Sequence, residues 1–296
     1  MGFRIKRKET TTEAVRRVTC ECVEKALGDL NHGDGLAAVH SVRKEIKKAR
    51  AILRLVRPCM GRSAYRKAAR DLREAAQDLS PMRDRLVTLQ AMQDLRDGLR
   101  DERGATPFGN LVSALRQRCR QEERRFRRER VVKQAARILV RSAKCLGRLS
   151  PRKKGWRALV AGLKRSYRAG RRAYTEVIAE PTPENLHEWR KRVKDLWYQL
   201  RLLRRVAPGE LENRIKDLKA LSDYLGDGHD LFMLQETVGA LWRGVSQADE
   251  LGALRGLAER RQDRLSCKAK AIGKRVYREK LSKFCRRIEG YWDNWR

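Results

Sequence analysis

The residues of this sequence best placed to do chemistry are a row of His40, Arg43, Lys47 and Arg50 at helical spacing, extended by Lys44 and Arg54. Arg offers a planar fork that matches two oxygens of one phosphate, and Lys offers a compact point charge, so such a row is built to hold an anion. The row occurs twice. Setting His40–Arg57 (HSVRKEIKKARAILRLVR) over His187–Arg204 (HEWRKRVKDLWYQLRLLR) at an offset of 147 gives eight identities in eighteen positions. His187, Arg190, Lys191, Lys194 and Arg201 repeat the polar set, and Trp197 stands in for Arg50. Seven Lys or Arg and one Glu lie across His40–Arg57. A face that needed only hydration would interleave its signs for i,i+4 pairs. Polar residues kept in register while their neighbours change (Ser41/Glu188, Lys48/Asp195) point to binding rather than to an ordinary solvated face.

On an α-helix with His40 at zero, the basic residues fall between about −80° and +40°, while Val42, Ile46, Ala49, Leu53 and Val56 fall between about 160° and 240°. Core face and basic face are opposed. From His40 to Arg54 the stripe runs about 21 Å, which suits an extended phosphate chain better than a single phosphate. No glycine-rich cradle of the P-loop or dinucleotide-binding pattern is present. Other basic stretches extend the surface: Arg116, Arg120 and Arg124 in one, Lys164, Arg168 and Arg171 in another.

The elements that must carry these residues read as helices nearly throughout, about ten of them, since Ala, Leu, Arg, Lys, Glu and Gln dominate and Val/Ile/Thr alternation is missing. Thr10 with Glu13 predicts a capping box. Gly28–Gly35 reads as a loop with Asp34 capping the next helix, and Pro58–Gly61 closes that helix. Ser80-Pro81 and Thr182-Pro183 each read as a cap followed by a first-turn proline. Pro107, Pro151 and Pro208-Gly209 mark further breaks. The repeat extends past the stripes: at an offset of 146, Asp71-Leu72, Leu79 and Asp84 fall on Asp217-Leu218, Leu225 and Asp230. Two similar halves, 1–150 and 151–296, follow, and antiparallel helical bundles are the natural all-α architecture for them.

Composition sets the class of partner. The 296 residues carry 71 Lys+Arg against 37 Asp+Glu, a net charge of +34, and 41% hydrophobic residues is enough for a core. Such an excess opposes compaction unless something anionic offsets it. No run of 18 apolar residues exists, no apolar stretch follows Met1–Lys8, and Lys6 breaks the myristoylation pattern, so neither membrane nor secretion is expected. The seven cysteines are scattered with no C-x-x-C pair, which reads as reduced thiols of a cytoplasmic protein without a structural metal.

The doubled pattern H-x-x-R-x-x-x-K at His40/Arg43/Lys47 and His187/Arg190/Lys194 resembles the CHAD domain (conserved histidine α-helical domain). Leu225–Asp230 (LGDGHD) is similar to that family's L-G-x-x-R-D turn, and Leu79–Asp84 (LSPMRD) is its counterpart. The resemblance spans essentially the whole chain. It implies two four-helix bundles around a basic central groove that binds inorganic polyphosphate, with association with polyphosphate granules in bacteria. It places the binding role on His40, Arg43, Lys47, Arg50, Arg54, His187, Arg190, Lys194 and Arg201. The chain departs from the family at Trp197 and at His229, which stands where the turn usually has Arg.

Two other classes compete. A triphosphate-cleaving enzyme would need the E-x-E-x-K signature and clustered carboxylates, which are missing, and His40 and His187 sit among cations that disfavour a metal ion. Asp227, His229 and Asp230 read as part of a helix-linking turn freed by Gly226 and Gly228 rather than a metal loop. Neither cofactor, metal nor catalysis is expected. A nucleic-acid binder would want aromatics on the basic face for stacking. Only Trp197 lies near the stripe, while Trp189 falls on the apolar side, so phosphate-only recognition is the expectation and weak non-specific adhesion to RNA or DNA the alternative.

Overall fold

Residues 2–33, 35–98, 108–128, 130–241 and 248–296 are described in the computed structural model, and no strand occurs among them. Their helices are α1 (Thr11–His32), α2 (Gly35–Val56), α3 (Arg62–Asp78), α4 (Ser80–Asp97), α5 (Gly109–Arg128), α6 (Val131–Gly147), α7 (Trp156–Ala179), α8 (Pro183–Leu203), α9 (Pro208–Leu241), α10 (Ala248–Val276) and α11 (Leu281–Trp295). A 3-10 turn, Arg57–Cys59, follows α2. Displaced by 146–147 residues, α1 overlaps α7, α2 overlaps α8, α3 with α4 overlaps α9, α5 overlaps α10, and α6 overlaps α11.

Local chemistry starts several of these helices as expected. The Thr10 hydroxyl accepts from the Glu13 amide while the Glu13 carboxylate accepts from the Thr10 amide, closing the capping box. Thr182 caps α8 by accepting from the Asn185 amide, with Pro183 in the first turn.

Three local expectations are corrected. Gly28 does not open a loop: α1 runs through it to His32, because burial of Ala26 and Leu30 outweighs the cost of about 1 kcal/mol that glycine imposes on a helix. Ser80 is not a cap; Leu79 holds that place, and the Ser80 hydroxyl donates to the Ala76 carbonyl at 3.0 Å. The segment 226–230 is no turn at all, since α9 continues through both glycines for 34 residues. Asp34 and Pro107 lie outside the described residues.

One apolar core runs through both halves of the chain. It joins Val42, Ile52 and Leu55 of α2 to Leu159 and Leu163 of α7 and to Trp189, Leu196 and Leu200 of α8. A smaller core sits where α4, α5, α9 and α10 meet, around Met92, Leu111, Leu234 and Leu254. Position 150 thus marks the repeat in the sequence, while each core draws on both sides of it. The contact of α7 with α2 is very close: a Cβ on Gly162 would lie 1.7 Å from the Leu55 carbonyl oxygen, so only glycine fits. Helix α2 packs against α1, α3, α4, α7 and α8, and the first basic stripe forms one wall of an open groove, with His40 and Lys44 exposed.

Candidate functional site

The two stripe helices converge. Helices α2, α4, α8 and α9 enclose a groove of about 760 Å³. His40, Arg43, Lys44 and Lys47 enter it from α2, Arg190, Lys194 and Arg201 from α8, Arg83 from α4, and Lys216 and Lys219 from α9. Nine Lys or Arg face two carboxylates, Asp223 and Asp230, across this space. The acids are partly spent: Asp223 accepts from Lys219 at 2.5 Å, and Asp230 accepts from Arg83 at 3.2 Å with Arg190 at 3.8 Å.

The charge is held against its own solvation preference. Burial first, then Lys194, Arg190, Arg43 and Arg83, hold the Lys47 ammonium well below the usual lysine range. Burial, Arg190 and Arg83 bring Lys194 down to about 8, against a partial upward pull from Asp230 and Asp223. Neither lysine has an Asp or Glu within 4.0 Å among the described residues. Burial with Lys47 and Arg83 likewise lowers His40, which favours the neutral imidazole.

Arginine positions are set by backbone features. Arg43 donates to the Ser80 hydroxyl at 2.6 Å and to the Ala76 carbonyl, so it clamps the junction of α3 and α4. Arg190, its counterpart, lies over Gly226, where a Cβ would come to 3.3 Å from its Nη2. Gly226 therefore serves close approach, not a turn. At the far end the Arg201 guanidinium covers Trp197 at 4.9 Å, Phe3 at 5.7 Å and Tyr198 at 5.9 Å, and the Lys219 ammonium sits 5.9 Å from Trp197. Trp197 and Tyr198 are buried, with cations already over their rings.

Not every stripe residue reaches this groove. The Ala51 carbonyl of α2 accepts from Gln199 of α8 at 3.1 Å, and beyond Lys47 the basic face of α2 no longer fronts the cavity. Arg54 pairs instead with the buried Asp195 at 2.7 Å, and Arg50 sits near Arg54, the same Asp195, Arg73 and Tyr65. His187 lies outside the groove too. It packs on His229, ring centroids 4.3 Å apart, in a neighbouring cavity with Tyr224 and Phe232. Burial, Arg190 and His187 drive His229 down to about 3. Lys191 is exposed and bonded to Glu188 at 3.1 Å.

The other basic stretches face elsewhere. Arg116, Arg120 and Arg124 project from the exposed side of α5, Lys164 and Arg168 lie beside Cys285 of α11, and Arg171 is exposed on α7. Arg83, Lys216 and Lys219 belong to the groove and are absent from the stripes. Arg83 could have been found, as the arginine of Leu79–Asp84; the two α9 lysines carried no such signal.

The CHAD domain family model matches residues 18–239. The chain belongs to the CHAD family. Its fold is also that of a crystal structure of the CHAD domain from the plant Ricinus communis, with a TM-score of 0.62 and 14% identity over 91% of this chain and 94% of that one. At that identity the likeness concerns the fold alone. A comparison with curated proteins finds no match. Within this CHAD protein, no described helix is long and apolar enough to cross a membrane.

Proposed function

We propose that this CHAD protein binds inorganic polyphosphate in the α2/α8 groove, without catalysis, and that the binding serves to recruit it to polyphosphate granules. One observation carries the reading: nine Lys or Arg from both halves of the chain line one cavity whose acids are already engaged. Arg forks and lysine ammonium groups supply phosphate-oxygen contacts along a chain. The aromatics beside the groove support phosphate over nucleobases, because Arg201 and Lys219 occupy the positions over the Trp197 ring that a base would need. The binding role, as opposed to hydrolysis, rests on donor-only chemistry. Of the two groove carboxylates, Asp230 is held by Arg83 and Asp223 by Lys219, so neither is free to activate water.

The direct test compares affinities for long-chain polyphosphate, duplex DNA and RNA at one fixed salt concentration near physiological. Polyphosphate should bind most tightly. Nucleic acid binding equally well or better would overturn the proposal and establish general polyanion adhesion in its place.

A further inference from the structure

The C-terminal end of α2 carries a second cationic cavity that the groove does not use. A pocket of about 410 Å³ opens between the Arg57–Cys59 turn, the start of α3 and α7. Four arginines line it, Arg57, Arg62, Arg66 and Arg165, with Tyr65 as its aromatic wall. No carboxylate lines it, and among the described residues none of the four has an Asp or Glu within 4.0 Å.

The pocket is held in shape. The Arg57 guanidinium lies over Tyr65 at 4.9 Å, which fixes its plane. The close contact at Gly162 draws α7 onto the end of α2, and Arg165, three residues further on, thereby reaches the rim.

The second half of the chain shows what these positions do when they serve structure alone. Arg204 corresponds to Arg57, and it pairs at 2.9 Å with Glu212, which stands where the first half has Arg66. Helix α9 opens with Glu210 in its first turn, the favourable place for an acid, whereas the first turn of α3 has none. In the first half, then, the carboxylate that would neutralise Arg57 is replaced by another arginine. Four guanidinium groups around one cavity with no carboxylate beside them offer an anion several charge-assisted contacts at once.

We infer that this pocket is a second phosphate site, which takes phosphate groups of a short polyphosphate independently of the groove. The inference rests on the polyphosphate reading of the chain, and the two can fail separately. The probe is inorganic tripolyphosphate, titrated calorimetrically at fixed salt into four proteins: wild type, Arg66→Glu/Arg165→Glu, Lys47→Met/Lys194→Met, and Lys133→Glu/Lys144→Glu. The last has the same charge change on exposed positions of α6. Arg66 and Arg165 are exposed as well, so the fold should survive, which circular dichroism checks. Wild type and the α6 variant should bind two equivalents, and the pocket and groove variants one each. A pocket variant that still binds two, an α6 variant that falls to one, or a wild type that binds only one equivalent which the pocket variant keeps would overturn the second site. A groove variant that still binds two while the pocket variant binds one would overturn the groove reading and leave the pocket standing.

Discussion

Lys47 and Lys194 carry their charge at the expense of the fold. Below about pH 8 Lys194 is protonated in folded and unfolded chains alike, and its burial is a constant cost. Between about 8 and its ordinary 10.5 the unfolded chain keeps a proton the native chain has lost, so stability rises with pH across that window. Replacing this lysine by Met should therefore stabilise the protein at pH 7, by on the order of 1–3 kcal/mol in urea denaturation, while weakening polyphosphate binding. Destabilisation with unchanged affinity would show that Lys194 is a packing residue. A bound phosphate raises the same pKa, so affinity should fall between pH 7 and 9 as the free protein loses this charge, with proton uptake detectable by titration in buffers of different ionisation enthalpy. At this scale the sequence was informative about residue type and blind to direction. His187 occupies the same register as His40 and yet faces another cavity, because His229 replaces the arginine that the first half has at Arg83 and offers a ring to pack against.

Helix positions were mostly legible, since caps and prolines act locally; what a helix touches was not. The opposed faces drawn for α2 assume one buried side, whereas α2 packs against five helices, and beyond Lys47 its stripe passes from a groove-facing part to a structural part. Arg54 falls in the structural part. Arg54→Met should leave Asp195 buried without its partner and cost about 3 kcal/mol in denaturation, with polyphosphate affinity of the folded protein changed by no more than about twofold. A large loss of affinity with little loss of stability would return Arg54 to the binding set. The α2–α7 contact makes a second demand: Gly162→Ala places a methyl against the Leu55 carbonyl, and overpacking of that kind costs roughly 1–3 kcal/mol or more. A stability equal to wild type would mean that α7 can shift outward freely. The continuity of α9 through Gly226 and Gly228 escaped the sequence reading because a glycine beside a close neighbour, as Gly226 is beside Arg190, or one in open space inside a helix, as Gly228 is, looks the same in sequence as one needed for a turn.

The net charge of +34 first asked only for some polyanion. In the folded molecule part of it is concentrated in one groove, with nine cations over two acids, while Arg116, Arg120 and Arg124 stand on a separate exposed surface. The whole molecule should thus gain stability from its ligand: saturating polyphosphate should raise Tm, and added salt should erode both the shift and the affinity. A Tm indifferent to polyphosphate at low salt would place its binding outside the folded groove. The most direct test of the central claim is the affinity of Lys47→Met/Lys194→Met for long-chain polyphosphate, measured beside wild type and Lys133→Met/Lys144→Met at one salt concentration. Two charge-assisted contacts of about 1.5 kcal/mol each predict a loss of about a hundredfold for the groove variant and little change for the other. Equal losses in the two variants would contradict the account, because the protein would then be answering to total charge and not to the groove.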